Sequence, residues 1–275
     1  MTGRIPARAA RLAAALLTTT AVLAVVAGTA SASSTVIYNN IPSPKPGNLP
    51  SVGFQATQTS ELGGQVEVIP GAWKNPIVLV TMSSWGCQEG SWVEKNCKTT
   101  MGAKFEWPIT FNVYQVGPGN SVGAKLASGS KVFKMPYRPS ASPKCTGANA
   151  GKWYAMGTCF NGKAFKISLG LKVAKLPQKV IVSVAYNTSS FGDEPQGTQP
   201  CSSTTEGCPY DSLNVAVREA GEGGPTVGSD PFPASLYLNS ATAENYCSNP
   251  SAVGTFGISE GCWTEEQPAI EVKGQ

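Results

Sequence analysis

The stretch FKISLGLKV (165–173) places an apolar residue at every second position, with lysine, serine or glycine between. In a helix those five apolar side chains would scatter around the axis; in an extended chain they line one face. The spacing therefore predicts a half-buried antiparallel strand. The same alternation recurs in ITFNV (109–113) and VIVSVAY (180–186), and more briefly in VEV (66–68), LNVAV (213–217), LYL (236–238) and IEV (270–272). IVLV (77–80) is continuously apolar, as a central strand covered on both faces would be, and VIYN (36–39) reads as a first strand. Glycine and proline punctuate the gaps, as in IPSPKPGNLPS (41–51), VGPGNSVG (116–123) and AGEGGPTVGSDPFP (220–233). Many short strands without interleaved helices predict an all-β chain. The expected architecture is an antiparallel β-sandwich, jelly-roll-like, with long disulfide-braced loops. Its short first and last strands are expected to pair.

The chain begins with Arg4, Arg8 and Arg11, then an apolar run over residues 12–28, then Ala30-Ser31-Ala32. This order is that of a secretory signal, with cleavage expected near Ala32. The apolar run is shorter than the roughly 20 residues a membrane span needs. No Arg-Arg pair is present, which favours the Sec route. The expected organisation is a Sec signal peptide over residues 1–32 and a single secreted domain over 33–275, with no membrane span in the mature protein. The full chain carries 21 basic and 17 acidic residues; without the three signal arginines 18 face 17, a net +1. Such a balance gives no electrostatic reason to expect a nucleic-acid partner.

All eight cysteines follow the signal, and the chain has no histidine. An even count in an exported chain reads as disulfides. The cysteines fall into neighbouring pairs, Cys87 with Cys97, Cys145 with Cys159, Cys201 with Cys208 and Cys247 with Cys262, so four local bridges are expected. The absence of histidine excludes Ser-His-Asp and Cys-His catalysis and every His-ligated metal site. The tightest cysteine spacing, C-x₆-C, suits neither a Cys₄ zinc site nor a C-x-x-C redox pair. No metal and no cofactor are expected. A structural calcium would draw on Asp193, Glu194, Asp211 and Asp230, but no D-x-[DN]-x-[DN]-G loop is present.

The segments VIYNNIPSPKPGNLPS, VTMSSWGC, FNVYQVGPGNSVGAKLASG, SVAYNTSSFG, YDSLNVAV and GCWTEEQPAIEV resemble an uncharacterised family of secreted bacterial proteins. The part from 111 to 129 is similar to a strand–turn–strand unit of exported β-sandwich domains. The resemblance implies an exported, disulfide-bearing β-sandwich and carries no activity with it.

Aromatic residues crowd the cysteine loops: Trp85 and Trp92 flank Cys87, Trp153 and Tyr154 precede Cys159, Tyr210 follows Cys208, and Trp263 follows Cys262. A braced loop that presents flat rings suits the apolar faces of sugars, because a stiff platform loses little entropy on binding. Trp92 and Trp153, surrounded by polar residues, lead that set; packing over the disulfides is the competing role for each ring. The leading expectation is a module that binds polysaccharide or cell envelope, and a structural or interaction protein of the cell exterior is the first alternative. A carboxylate-dependent glycan hydrolase is the second, drawing on Glu67, Glu89, Glu94, Glu106, Asp193, Glu194 or Asp211. It needs two carboxylates about 5 Å or about 6.5–9.5 Å apart. No diagnostic spacing such as E-x-D-x-x-E occurs. No S-x-x-K motif stands where it would support a Ser-Lys nucleophile, so the balance leans away from an enzyme.

Overall fold

The apolar alternation is realised as antiparallel sheet. The computed structural model describes residues 1–3, 33–43, 49–55, 57–92, 94–187, 213–219, 221–241, 254–259 and 263–275. Most of the expected signal segment lies outside the described residues. So do Cys201, Cys208, Cys247, Cys262, Tyr210, Asp193, Glu194 and Asp211. In chain order the strands are β1 (Thr35–Asn39), β2 (Ser51–Val52), β3 (Thr59–Glu67), β4 (Ile77–Ser84), β5 (Lys104–Val116), β6 (Val122–Pro136), β7 (Trp153–Ala155) and β8 (Thr158–Phe160). They continue as β9 (Lys163–Gly170), β10 (Lys179–Ala185), β11 (Leu213–Arg218), β12 (Tyr237–Ser240), β13 (Gly257–Ile258), β14 (Gln267–Pro268) and β15 (Ile270–Gly274). Among the described residues no helix is long and apolar enough to cross a membrane.

β4 organises the first sheet. β9 pairs along its whole length, from Ile77↔Gly170 to Ser84↔Lys163. Its other edge is shared end to end: β15 takes Ile77 to Val80 and β11 takes Met82 to Ser84. β1 pairs with β15 on the outside, so the first and last strands are neighbours, as expected. β2 and β14 pair with β11. β9 stops at Gly170, short of the expected residue 173. Leu171 donates to the Pro76 carbonyl, and Pro76 has no N–H with which to continue the ladder. The second sheet runs β13-β12-β3-β10-β5-β6, and β7-β8 is a separate hairpin.

Both sheets feed one core. Val78, Val80 and Met82 from β4 pack with Leu62, Phe111, Val113, Val180 and Val182 from the second sheet. At one side the segment 226–229 hydrogen-bonds both to Asn39 of β1 and to Glu67 of β3. At the other, β6 comes against β9, where a Cβ on Gly129 would stand 2.8 Å from Leu171. The sheets therefore curl toward a half-barrel. The chain is mostly antiparallel sheet with disulfide-linked loops.

A buried polar lock holds the first of these joints. Tyr38 of β1 and Arg218 of β11 both donate to the Asp230 carboxylate, and Arg218 also donates to the Gly223 carbonyl. Burial pushes the Tyr38 hydroxyl well above its ordinary range. Burial also raises the Asp230 carboxyl, against the Tyr38 hydrogen bond and the Arg218 charge. Asp230 is thus held in this lock by both its carboxylate oxygens. Among the described residues no three His, Cys, Asp or Glu side chains gather to hold a metal.

Candidate functional site: an aromatic cleft at one end of the first sheet

β4 ends at Ser84 and delivers Trp85 directly into a cleft of about 510 Å³. Trp85 donates its indole N–H to the Ser83 hydroxyl at 3.1 Å. Gly162 passes close over this indole: a Cβ there would lie 2.3 Å from Ser83 Oγ and 2.6 Å from Trp85 Nε1. Trp92 meets the Trp85 ring edge-on, at 4.9 Å between centroids and 74° between planes. Trp92 therefore buttresses Trp85, and the Cys87–Cys97 disulfide closes the loop that carries it, with Cα atoms 5.4 Å apart.

The opposite wall is the β7-β8 hairpin. Trp153 and Phe160 are register partners and stack at 4.8 Å and 26°. The Trp153 indole donates to the Gly162 carbonyl at 3.1 Å, and Lys163 Nζ lies 4.9 Å from its ring centre. Alternation turns Tyr154 to the hairpin's other face, where it is 38 % exposed and lies under Lys144. Cys159, directly opposite Tyr154, bonds to Cys145. Both disulfides among the described residues join sequence-neighbouring cysteines, and no cysteine there is free.

Arg138 fastens these pieces together. It is 1 % exposed. Its side chain donates to the carbonyls of Asn161 at 2.5 Å and Gly151 at 2.7 Å, and its own N–H donates to the Gly86 carbonyl at 2.8 Å. Its carbonyl accepts from the Thr99 hydroxyl at 2.7 Å. Arg138 thus ties the Trp85 loop through its backbone, and the loop before Trp153 and the turn into β9 through its guanidinium.

The expected aromatic residues divide. Trp85 and Trp153 line the same cleft, with Trp92 behind Trp85. Trp153 is only 9 % exposed and forms a wall, because its N–H is satisfied internally and Phe160 covers ring area. Trp263 packs against the main core instead. Leu49, Pro50, Met156, Phe160 and Ala164 extend the apolar lining, and Ser83, Asn161, Lys163 and Glu219 supply its polar groups. Glu219 was not legible as a site residue, since it follows β11 with no motif around it.

Two of the carboxylates that a hydrolase could have drawn on have structural partners, and a third, Glu89, is fixed only through its backbone. Glu67 accepts from Ser229 and Gln178, Glu106 pairs across the sheet with Lys134, and the backbone of Glu89 bridges to Lys98. Glu94 is exposed on the loop after Trp92. Among the described residues Glu219 is the one carboxylate that lines the cleft. Continuing the β11-β14 register, Arg218↔Gln267, by one step sets Glu219 opposite Glu266. Burial, and secondarily the Glu219 charge, push Glu266 up to about 7 from 4.5. The folded state then holds a proton that the unfolded chain releases at lower pH, so stability falls as pH rises through that window. Glu266→Gln should melt higher than the parent at about pH 8, and the difference should vanish near pH 4. Thermal melts across that range check this.

No protein-family model matches the chain, and neither does any curated protein or solved structure.

Proposed function

We propose that this protein is a non-catalytic binding module of the cell exterior. Its ligand is an extracellular glycan or cell-envelope polymer held in the Trp85–Trp153 cleft. The observation that carries the reading is the convergence on one cleft of Trp85, which leaves β4 just before the Cys87–Cys97 loop and is backed by Trp92 from within it, and Trp153, which lies inside the Cys145–Cys159 loop. An apolar wall with a few fixed donors and acceptors is the usual makeup of a small-ligand site. Indole rings beside Ser83, Asn161, Lys163 and Glu219 match a sugar, which offers one apolar face and a rim of hydroxyls. A hydrolase needs two carboxylates around the scissile bond, whereas a single one lines this cleft among the described residues. Export through the segment 1–32 and a jelly-roll-like connection of the two sheets belong to the same reading.

The test is co-sedimentation of the protein of residues 33–275 with insoluble chitin, cellulose and purified peptidoglycan. Trp85→Ala should lower retention about tenfold, the loss expected when a central aromatic contact worth ~1.4 kcal/mol goes. Asn161→Ala, which removes a polar lining group but leaves the Arg138 bond to the Asn161 backbone, should weaken it less. Retention unchanged by both variants would move the site elsewhere. Retention on no matrix would overturn the glycan reading and favour a protein partner.

A further inference from the structure

Met156 stands at the mouth of the cleft and is 91 % exposed, an unusual place for a large apolar side chain. Its backbone is unusual as well. Met156 and Gly157 form the two-residue turn of the β7-β8 hairpin, with φ of 46° and 81°. Positive φ at both central positions defines a type I′ turn, which favours Asn-Gly, because an L residue with a Cβ is strained there. The turn therefore holds a residue that is poor for its backbone and poor for its exposure. Strain of this kind is kept where a side chain serves a site. Among the methionines, Met82 and Met135 are fully buried, whereas Met101 is 99 % exposed but does not line the cleft.

We propose that Met156 is an oxidation site that controls the cleft: its thioether packs over the bound ligand, and its conversion to the sulfoxide releases that ligand. The step balances with a peroxide as oxidant. One peroxide oxygen transfers to sulfur, sulfur is oxidised by two electrons, and the peroxide is reduced to water or an alcohol. The sulfoxide is polar and carries a strong acceptor. It therefore resists burial against a ligand's apolar face more than the thioether does. The exposure of Met156 makes it reactive before the buried methionines. This role for Met156 rests on the cleft being the glycan site proposed above.

The experiment treats the protein of residues 33–275 with hydrogen peroxide and measures retention on peptidoglycan, chitin and cellulose, with peptide mass spectrometry to place the oxygen. The parent should lose about tenfold in affinity as Met156 oxidises. Met156→Leu should bind without treatment and be indifferent to peroxide, and Met101→Leu should remain as sensitive as the parent. Met156→Asn should bind more weakly yet melt about 2–4 °C higher, since asparagine accepts the left-handed backbone with less strain. That combination separates a ligand contact from a folding defect. If Met156 oxidises and retention holds, or Met156→Leu is equally sensitive, the switch is wrong while the glycan reading stands. If the untreated parent binds none of the three matrices, both fall.

Discussion

Replacing Arg138 with methionine should lower the melting temperature by roughly 10 °C and abolish retention on any ligand matrix. The side chain makes two hydrogen bonds to buried carbonyls, at Asn161 and Gly151. Bonds to a charged group contribute about 1.5–3 kcal/mol each, and a chain of this size loses about 2–4 °C per kcal/mol. Methionine fills much of the volume but donates nothing, so both carbonyls are left dry. Arg138→Lys should recover only part of the loss, because an ammonium cannot fork to two acceptors at fixed geometry. Hydrogen exchange should show the failure first in the amides of 153–160, the hairpin that Arg138 pins through Gly151 and Asn161. A variant that melted within a degree of the parent would show that the loops at Gly151 and Asn161 hold without the guanidinium.

A similar loss, again roughly 10 °C, is expected for Asp230→Ala. That change leaves the Arg218 guanidinium buried without its counter-charge and strips the Tyr38 hydroxyl of its acceptor. Breaking one side of a buried pair costs about 3–5 kcal/mol. The paired state is not thereby a strong stabiliser, since burial raises Asp230 despite Arg218. The double variant Arg218→Met, Asp230→Leu, with Tyr38→Phe, should recover most of the loss. Equal instability of the single and triple variants would mean that the lock is needed for the joint between β1 and the 221–233 segment itself.

The sheet was legible because half-buried strands write their burial into alternate residues. ITFNV, VIVSVAY and LNVAV fall within or along β5, β10 and β11, and IVLV begins β4, which has partners on both edges. β6 was readable only through its resemblance to a strand–turn–strand unit. It is an edge strand with water on much of both faces, so VGAKLASGSKVFKMP mixes lysine, serine and glycine rather than alternating cleanly. The two braced loops were readable from cysteine spacing alone. Their convergence was not, because it depends on where β4, β9 and β11 end relative to one another. Arg138 was invisible for a related reason: in PYRPS it reads as a solvated loop cation, and nothing local shows that three loops close over it. For Glu67 and Glu106 the sequence could not separate the roles, because a carboxylate on a strand face looks the same whether it serves a ligand or a neighbouring strand.

The shared edge of β4 has a kinetic consequence. The middle of the first sheet cannot close until β15 arrives, and β1 has no place to pair until β15, about 230 residues later, is in position. Such contacts close the longest loops among the paired strands, so folding should be slow. The two bridges follow the opposite rule. Cys87 and Cys97 lie 10 residues apart, and Cys145 and Cys159 lie 14 apart. Each can therefore meet its partner long before the sheet is complete. The walls of the cleft would then be stapled early and the sheets assembled around them, so delaying oxidation during refolding should slow recovery of the cleft more than recovery of the sheets.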